Sequence, residues 1–123
     1  MTDIQSFSTK IANSTDSVLL TATITSGTDV TEALNLSGCN LVAFKLPAAF
    51  TGTAISFQGS FDGSTYYDLY RTVDNTLIST PVTADRMYLI TVSDLAGVQY
   101  LKLKSDASEA ADREINLLTR SMA

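Results

Sequence analysis

The chain has 123 residues, 45 % of them hydrophobic and only 17 % charged, with eight basic residues against thirteen acidic ones and a net charge of −5. That length suits one domain with a core of its own, and the composition excludes a disordered tail. The acidic balance, with its few Lys and Arg dispersed along the chain, excludes phosphate-backbone binding, which needs clustered cations; no direct nucleic-acid partner is expected. No apolar run reaches the length of a membrane-spanning helix, so no membrane partner is expected either.

The opening, MTDIQSFSTK, has no basic region leading into an apolar core, which points to synthesis and folding in a cytoplasm. Residues 1–16 are polar around Ile4, Phe7 and Ile11, and read as an N-terminal arm or as a first strand. Residues 17–123 read as one β-sandwich domain. Ser and Thr together fill about a quarter of the positions, which favours strands over long helices. Val18, Leu20, Ala22 and Ile24 lie two apart and define one strand face, followed by a turn at Ser26-Gly27-Thr28-Asp29. Cys39, the single cysteine, sits among apolar and small neighbours and reads as a half-buried small hydrophobe with no disulfide partner. Val42, Phe44 and Leu46 form a second inward set, ended by Pro47.

Further runs occupy 54–59, 65–70, 86–92, 98–104 and 113–119. With the N-terminal stretch they make eight or nine strands of an antiparallel, jelly-roll-like all-β sandwich. Between the first two of these runs lies Phe61-Asp62-Gly63. A three-residue loop with Gly63 left-handed sets Phe57 opposite Tyr67 and Ile55 opposite Leu69, with all four on the core side. Ser56, Gln58, Tyr66, Asp68 and Tyr70 then share the outer face. Helix-forming composition is confined to 106–112, which has no apolar stripe and reads as a loop or a single turn.

Chemistry is sparse. Without histidine the chain has neither the usual general base nor the commonest zinc ligand. No phosphate-binding glycine loop, dinucleotide fingerprint or C-x-x-C pair occurs. Two carboxylates suffice for glycoside hydrolysis, but a domain this small without tryptophan is a poor host for the aromatic cleft that chemistry uses. No enzymatic activity is expected. Asp62, Asp74, Asp85, Asp94 and Asp106 fall in turns without the clustered oxygens of a calcium loop. No metal and no cofactor are therefore expected. The outward Tyr66 and Tyr70 with Gln58, extended by Tyr100 beside Lys102 and Lys104, make a polar-aromatic strip of the kind found at interfaces. Together with Ile4, Phe7 and Ile11 these are the candidate partner-binding residues.

The segment Ser60-Phe61-Asp62-Gly63-Ser64-Thr65-Tyr66-Tyr67-Asp68-Leu69, an S-x-D-G-x-x-[YF]-x-x-L pattern, is followed by G-V-x-Y-[LI]-K-L from Gly97 to Leu103. It closes with A-D-R-x-I-x-L from Ala111 to Leu117. Over roughly residues 40–120 this resembles a group of small structural proteins of tailed bacteriophages. The resemblance implies a jelly-roll or related sandwich on the virion, as head decoration (cement) or in the neck or tail. It also implies major capsid protein and copies of itself, as a dimer or trimer, for partners. The alternative is a carbohydrate- or receptor-binding module of a neck, tail or fibre; the lack of tryptophan favours the cement reading.

Overall fold

The computed structural model of the protein describes residues 17–36 and 38–121, so that Ile4, Phe7 and Ile11 lie outside the described residues. The described residues form nine strands: β1 Ser17–Ile24, β2 Leu34–Asn35, β3 Cys39–Lys45, β4 Ala54–Ser60, β5 Tyr67–Asp68, β6 Ser79–Pro81, β7 Met87–Leu89, β8 Tyr100–Ser105 and β9 Arg113–Ser121. They form two antiparallel sheets. The four-stranded one runs β1-β9-β3-β7, and the five-stranded one runs β2-β8-β4-β5, with β6 also paired to β4. Chain-consecutive strands mostly alternate between the sheets, which is the winding of a jelly roll. The expected all-β sandwich is therefore observed.

The core is the space between the sheets. Leu20, Leu117, Phe44 and Tyr88 line up across the first sheet by register and face inward. Ile55 and Phe57 on β4 face inward beside Leu101 and Leu103 on β8. Phe44 meets Phe57 edge to face, ring centroids 6.2 Å apart, and stacks on Tyr88 at 5.6 Å. These contacts join the two layers at their centre.

Three sequence expectations need correction. First, β3 carries a bulge at Val42, since Leu41 pairs with Thr119 while Ala43 pairs with Leu118. The extra residue shifts the inward set to Leu41, Phe44 and Leu46, leaving Val42 half-buried. Second, β4 and β5 pair as Gln58↔Asp68 and Gly59↔Tyr67, and the Leu69 amide donates to the Phe57 carbonyl at 3.0 Å. The register is thus offset by two residues from the one expected. Face assignment survives such a shift, and Ile55, Phe57 and Leu69 do pack with the core. Tyr67, opposite Gly59 at the mouth of the sandwich, is instead 61 % exposed.

The 106–112 stretch is a loop, one of the two forms expected for it, and a helical turn lies instead at Val92–Leu95. That loop's acids are engaged as hydrogen-bond acceptors: Asp106 takes the Thr53 amide and hydroxyl, and Glu109 takes the amides of Thr51 and Gly52. Local propensity yields to these long-range bonds. Third, the strands expected over 65–70 and 86–92 are shorter, at Tyr67–Asp68 and Met87–Leu89.

Candidate functional site

The longer hairpin loop has a local cause. At the end of β4, the Ser60 hydroxyl donates to Asp62 Oδ1 at 2.9 Å and accepts the amides of Asp62 at 3.2 Å and Gly63 at 2.9 Å. Asp62 Oδ1 in turn accepts the amides of Ser64 at 2.8 Å and Thr65 at 3.1 Å. Short polar side chains that bind their own backbone stabilise a turn at the expense of the ladder, and here they carry the loop on to Tyr66. The Ser64 and Thr65 amides and the Ser60 hydroxyl hold the Asp62 carboxyl below its ordinary pKa. Gly63 has φ +80°, and a Cβ there would lie 3.3 Å from Tyr100 Cε1, so the tyrosine ring packs against the bare backbone. Braced from within and beneath, the loop holds Phe61 entirely in solvent, at 100 % exposure.

Phe61 stands at the rim of a pocket of about 560 Å³, lined by Gly59, Tyr67, Leu69 and the 96–99 segment. The cavity opens at the end of the sandwich, where Gly59 places no side chain between the sheets and Leu69, just past β5, closes in. The 96–99 wall is anchored by two amide side chains: Asn40 Oδ1 accepts the Gly97 amide at 3.1 Å, and Gln99 Nε2 donates to Asn35 Oδ1 at 3.4 Å. The lining is chiefly apolar, and it carries no carboxylate, amine, imidazole or thiol. Such a site is suited to burying an apolar or aromatic group, not to moving protons.

Behind the loop, the outer face of the second sheet gathers most of the expected strip. Register places Gln58 beside Lys102 and Ser60 beside Tyr100. Gln58 Nε2 donates to Asp68 Oδ1 at 3.0 Å, and Lys102 Nζ lies 4.4 Å from the centroid of the Tyr66 ring. The Tyr66 hydroxyl is buried without a hydrogen-bond partner among the described residues, and burial, then the nearby Tyr100 and Asp62, push its pKa upward. Tyr70 belongs to another part of the surface. It bridges to Leu77 and lines a second hollow, of about 290 Å³, with Arg71, Val73 and Asp94. Arg71 grips Asp94 there through Nε at 3.3 Å and Nη2 at 3.0 Å.

Gln58, Tyr66 and Tyr100 thus come together, while Tyr70 stands apart. Sequence reasoning overlooked Phe61 and Tyr67. The signal that would have found them is the Ser60-x-Asp62 pair, whose side chains forbid the tight loop.

No family model matches the sequence, and no curated protein matches it. Among solved structures, the crystal structure of SPBc2 prophage-derived protein YomS is similar in fold, with a TM-score of 0.57 over 91 % of this chain and 99 % of that one. The two sequences are 16 % identical, so the likeness carries the fold alone.

Proposed function

We propose that this chain is a non-catalytic structural protein of a phage particle: a decoration, or cement, protein that binds between major capsid subunits and stabilises the head. On this reading it assembles in the host cytoplasm, ends in the virion, and has the major capsid protein and further copies of itself as partners. The observation that carries the reading is the fixed presentation of Phe61 in full solvent beside an apolar pocket. A large aromatic anchor on a pre-ordered loop loses little conformational freedom on docking, and the pocket beside it can receive an apolar side chain in return. Multiplied over a particle, a modest contact of this kind gains strength from its many copies. The sequence resemblance to tailed-phage structural proteins and the fold shared with a prophage-derived protein both support the phage setting.

A second reading is favoured by one feature of the pocket. Two aromatic rings, Phe61 and Tyr67, share its rim with the Gln99 amide, an arrangement that also suits a sugar ring on a neck or tail protein. One experiment separates the two. Purified protein is mixed with empty heads, with tails and with soluble sugars, and binding is read by sedimentation and electron microscopy. Saturable decoration of heads, abolished by Phe61→Ala at unchanged melting temperature, is the expected result. Attachment to tails only, or a sugar-induced shift in Tyr67 fluorescence without head binding, would sink the cement assignment.

A further inference from the structure

Among the described residues β1 is an edge strand, paired only to β9 in an unbroken register from Ser17↔Arg120 to Ile24↔Arg113. Its far end is closed. The Thr23 amide donates to Glu32 Oε1 at 2.8 Å, and Ile24 bridges to Thr31. Because Thr23 turns its amide away from β9, strand alternation turns the amides of Leu19 and Thr21 the same way. Neither has a partner among the described residues. Residues 17–21, Ser-Val-Leu-Leu-Thr, therefore form an open edge with no charge, proline, glycine or bulge, the devices by which natural sheets protect such edges. Apolar surface accompanies the open backbone: Leu19 is 78 % exposed on the outer face and Val18 43 % exposed at the rim of the core.

We infer that this edge pairs with itself: two copies join β1 to β1 antiparallel about a two-fold axis at Leu19, fusing two four-stranded sheets into one. The open stretch is centred on Leu19, and that register is self-complementary on both faces. Outside, Leu19 meets Leu19 of the second copy, and Ser17 meets Thr21. Inside, Val18 meets Leu20 of the second copy, which extends the core across the junction. The outer row Leu19–Leu118–Ala43–Leu89, set by the pairing of β1, β9, β3 and β7, then continues unbroken through both copies. An uncharged seam also spares two chains of net charge −5 a like-charge contact.

The area is small. A strand pair this short buries well below the ~1,200–2,000 Å² of a stable interface. The dimer is accordingly weak in dilute solution and forms where copies are concentrated. The inference concerns a different surface from the Phe61 pocket and stands whether or not that pocket binds a capsid.

Cysteine trapping tests it, in a Cys39→Ser background so that the introduced thiol is the only one. At the proposed axis, Leu19→Cys places two Cα atoms ~5.5 Å apart, within disulfide reach. Thr21→Cys leaves its two thiols roughly 14 Å apart by strand geometry, beyond reach. Under a glutathione redox buffer, Leu19→Cys is expected to form covalent dimer at least ~10-fold faster than Thr21→Cys. Adding Thr21→Pro, which deletes only an outward amide, should abolish trapping of Leu19→Cys at an unchanged melting temperature. Equal trapping at both positions, or none at either, overturns the inference. So does trapping that appears only after deletion of residues 1–16, which would mean that the chain's own N-terminal segment covers the edge.

Discussion

Replacing Glu109 by Gln should destabilise the sandwich more than any other change of one charged residue. Its carboxylate is 1 % exposed yet fully engaged. Oε1 accepts the Thr51 amide at 3.1 Å and Arg113 Nε at 2.8 Å, and Oε2 accepts the Thr51 hydroxyl at 2.9 Å and the Gly52 amide at 3.2 Å. The Glu109 backbone also binds the first turn, through the Thr28 carbonyl at 3.0 Å and the Gly27 amide at 2.8 Å. One residue thus fastens the 25–29, 51–53 and 106–113 loops together. A glutamine amide would turn two protons toward groups that themselves donate, and would leave Arg113 uncompensated. Breaking a buried pair on one side costs on the order of 3 kcal/mol, which for a chain of this size lowers the melting temperature by ~10 °C.

The pH dependence identifies the cause. Burial alone would raise the Glu109 pKa, but the bonds from Arg113 and Thr51 outweigh it and hold the pKa below the ordinary 4.5. A lowered folded-state pKa stabilises the fold above about pH 4.5, and that stabilisation is lost as pH falls through the folded value. The gap between wild type and Glu109→Gln, measured by thermal denaturation followed by circular dichroism, should therefore be widest near neutrality and close in acid. Asp62, Asp74 and Asp106, whose pKa values are also lowered, contribute equally to both proteins and cancel in the comparison. Melting within ~2 °C of wild type at neutral pH, with no convergence in acid, would refute the account.

Phe57→Ala removes one side of the central aromatic contact and should cost about 3–5 kcal/mol in denaturant unfolding, whereas Tyr67→Ala at the exposed mouth should cost under ~1 kcal/mol. Tyr66→Phe deletes a buried hydroxyl that has no partner among the described residues and should leave stability unchanged or raise it by ~0.5–1 kcal/mol; a clear loss in thermal melts would mean that the hydroxyl is bonded.

The long strands were legible because each is half-buried and alternates: β1, β4, β8 and β9 follow their apolar residues closely. The short ones were not. β2 and β6 have two or three residues each, too few for a period to register, and tertiary pairing alone makes them strands. The bulge at Val42 left no trace because the residues around it, from Leu41 to Phe44, are all apolar and satisfy either phase. The hairpin register is hidden because Phe61-Asp62-Gly63 fits a three-residue loop, whereas the Ser60 hydroxyl takes the Asp62 and Gly63 amides and lengthens it. Glu109 was hidden for another reason. Its alanine-rich surroundings resemble a helix surface, and only the Arg113 four residues on hinted at a bound carboxylate.

An acidic chain invites an explanation by long-range fields, yet many of its acids are used at close quarters. Glu32 holds the Thr23 amide, Asp62 the Ser64 and Thr65 amides, Asp74 the Thr76 amide, Asp106 the Thr53 amide and Asp112 the Ser26 amide. Each fastens a connection in a fold whose single cysteine offers no internal disulfide. Carboxylates accepting backbone amides are a substitute available to a protein rich in turns, and they bring rigidity with them. That rigidity bears directly on Phe61. A flexible loop would fold so large a ring back over the adjoining pocket, where it would gain roughly 1.5–3 kcal/mol by leaving water. The Ser60–Asp62 brace prevents this collapse, so the ring and the pocket both remain open to a partner. Loop order and exposed apolar surface are therefore two sides of one device, and in the proposed function Asp62 supports docking without touching what docks.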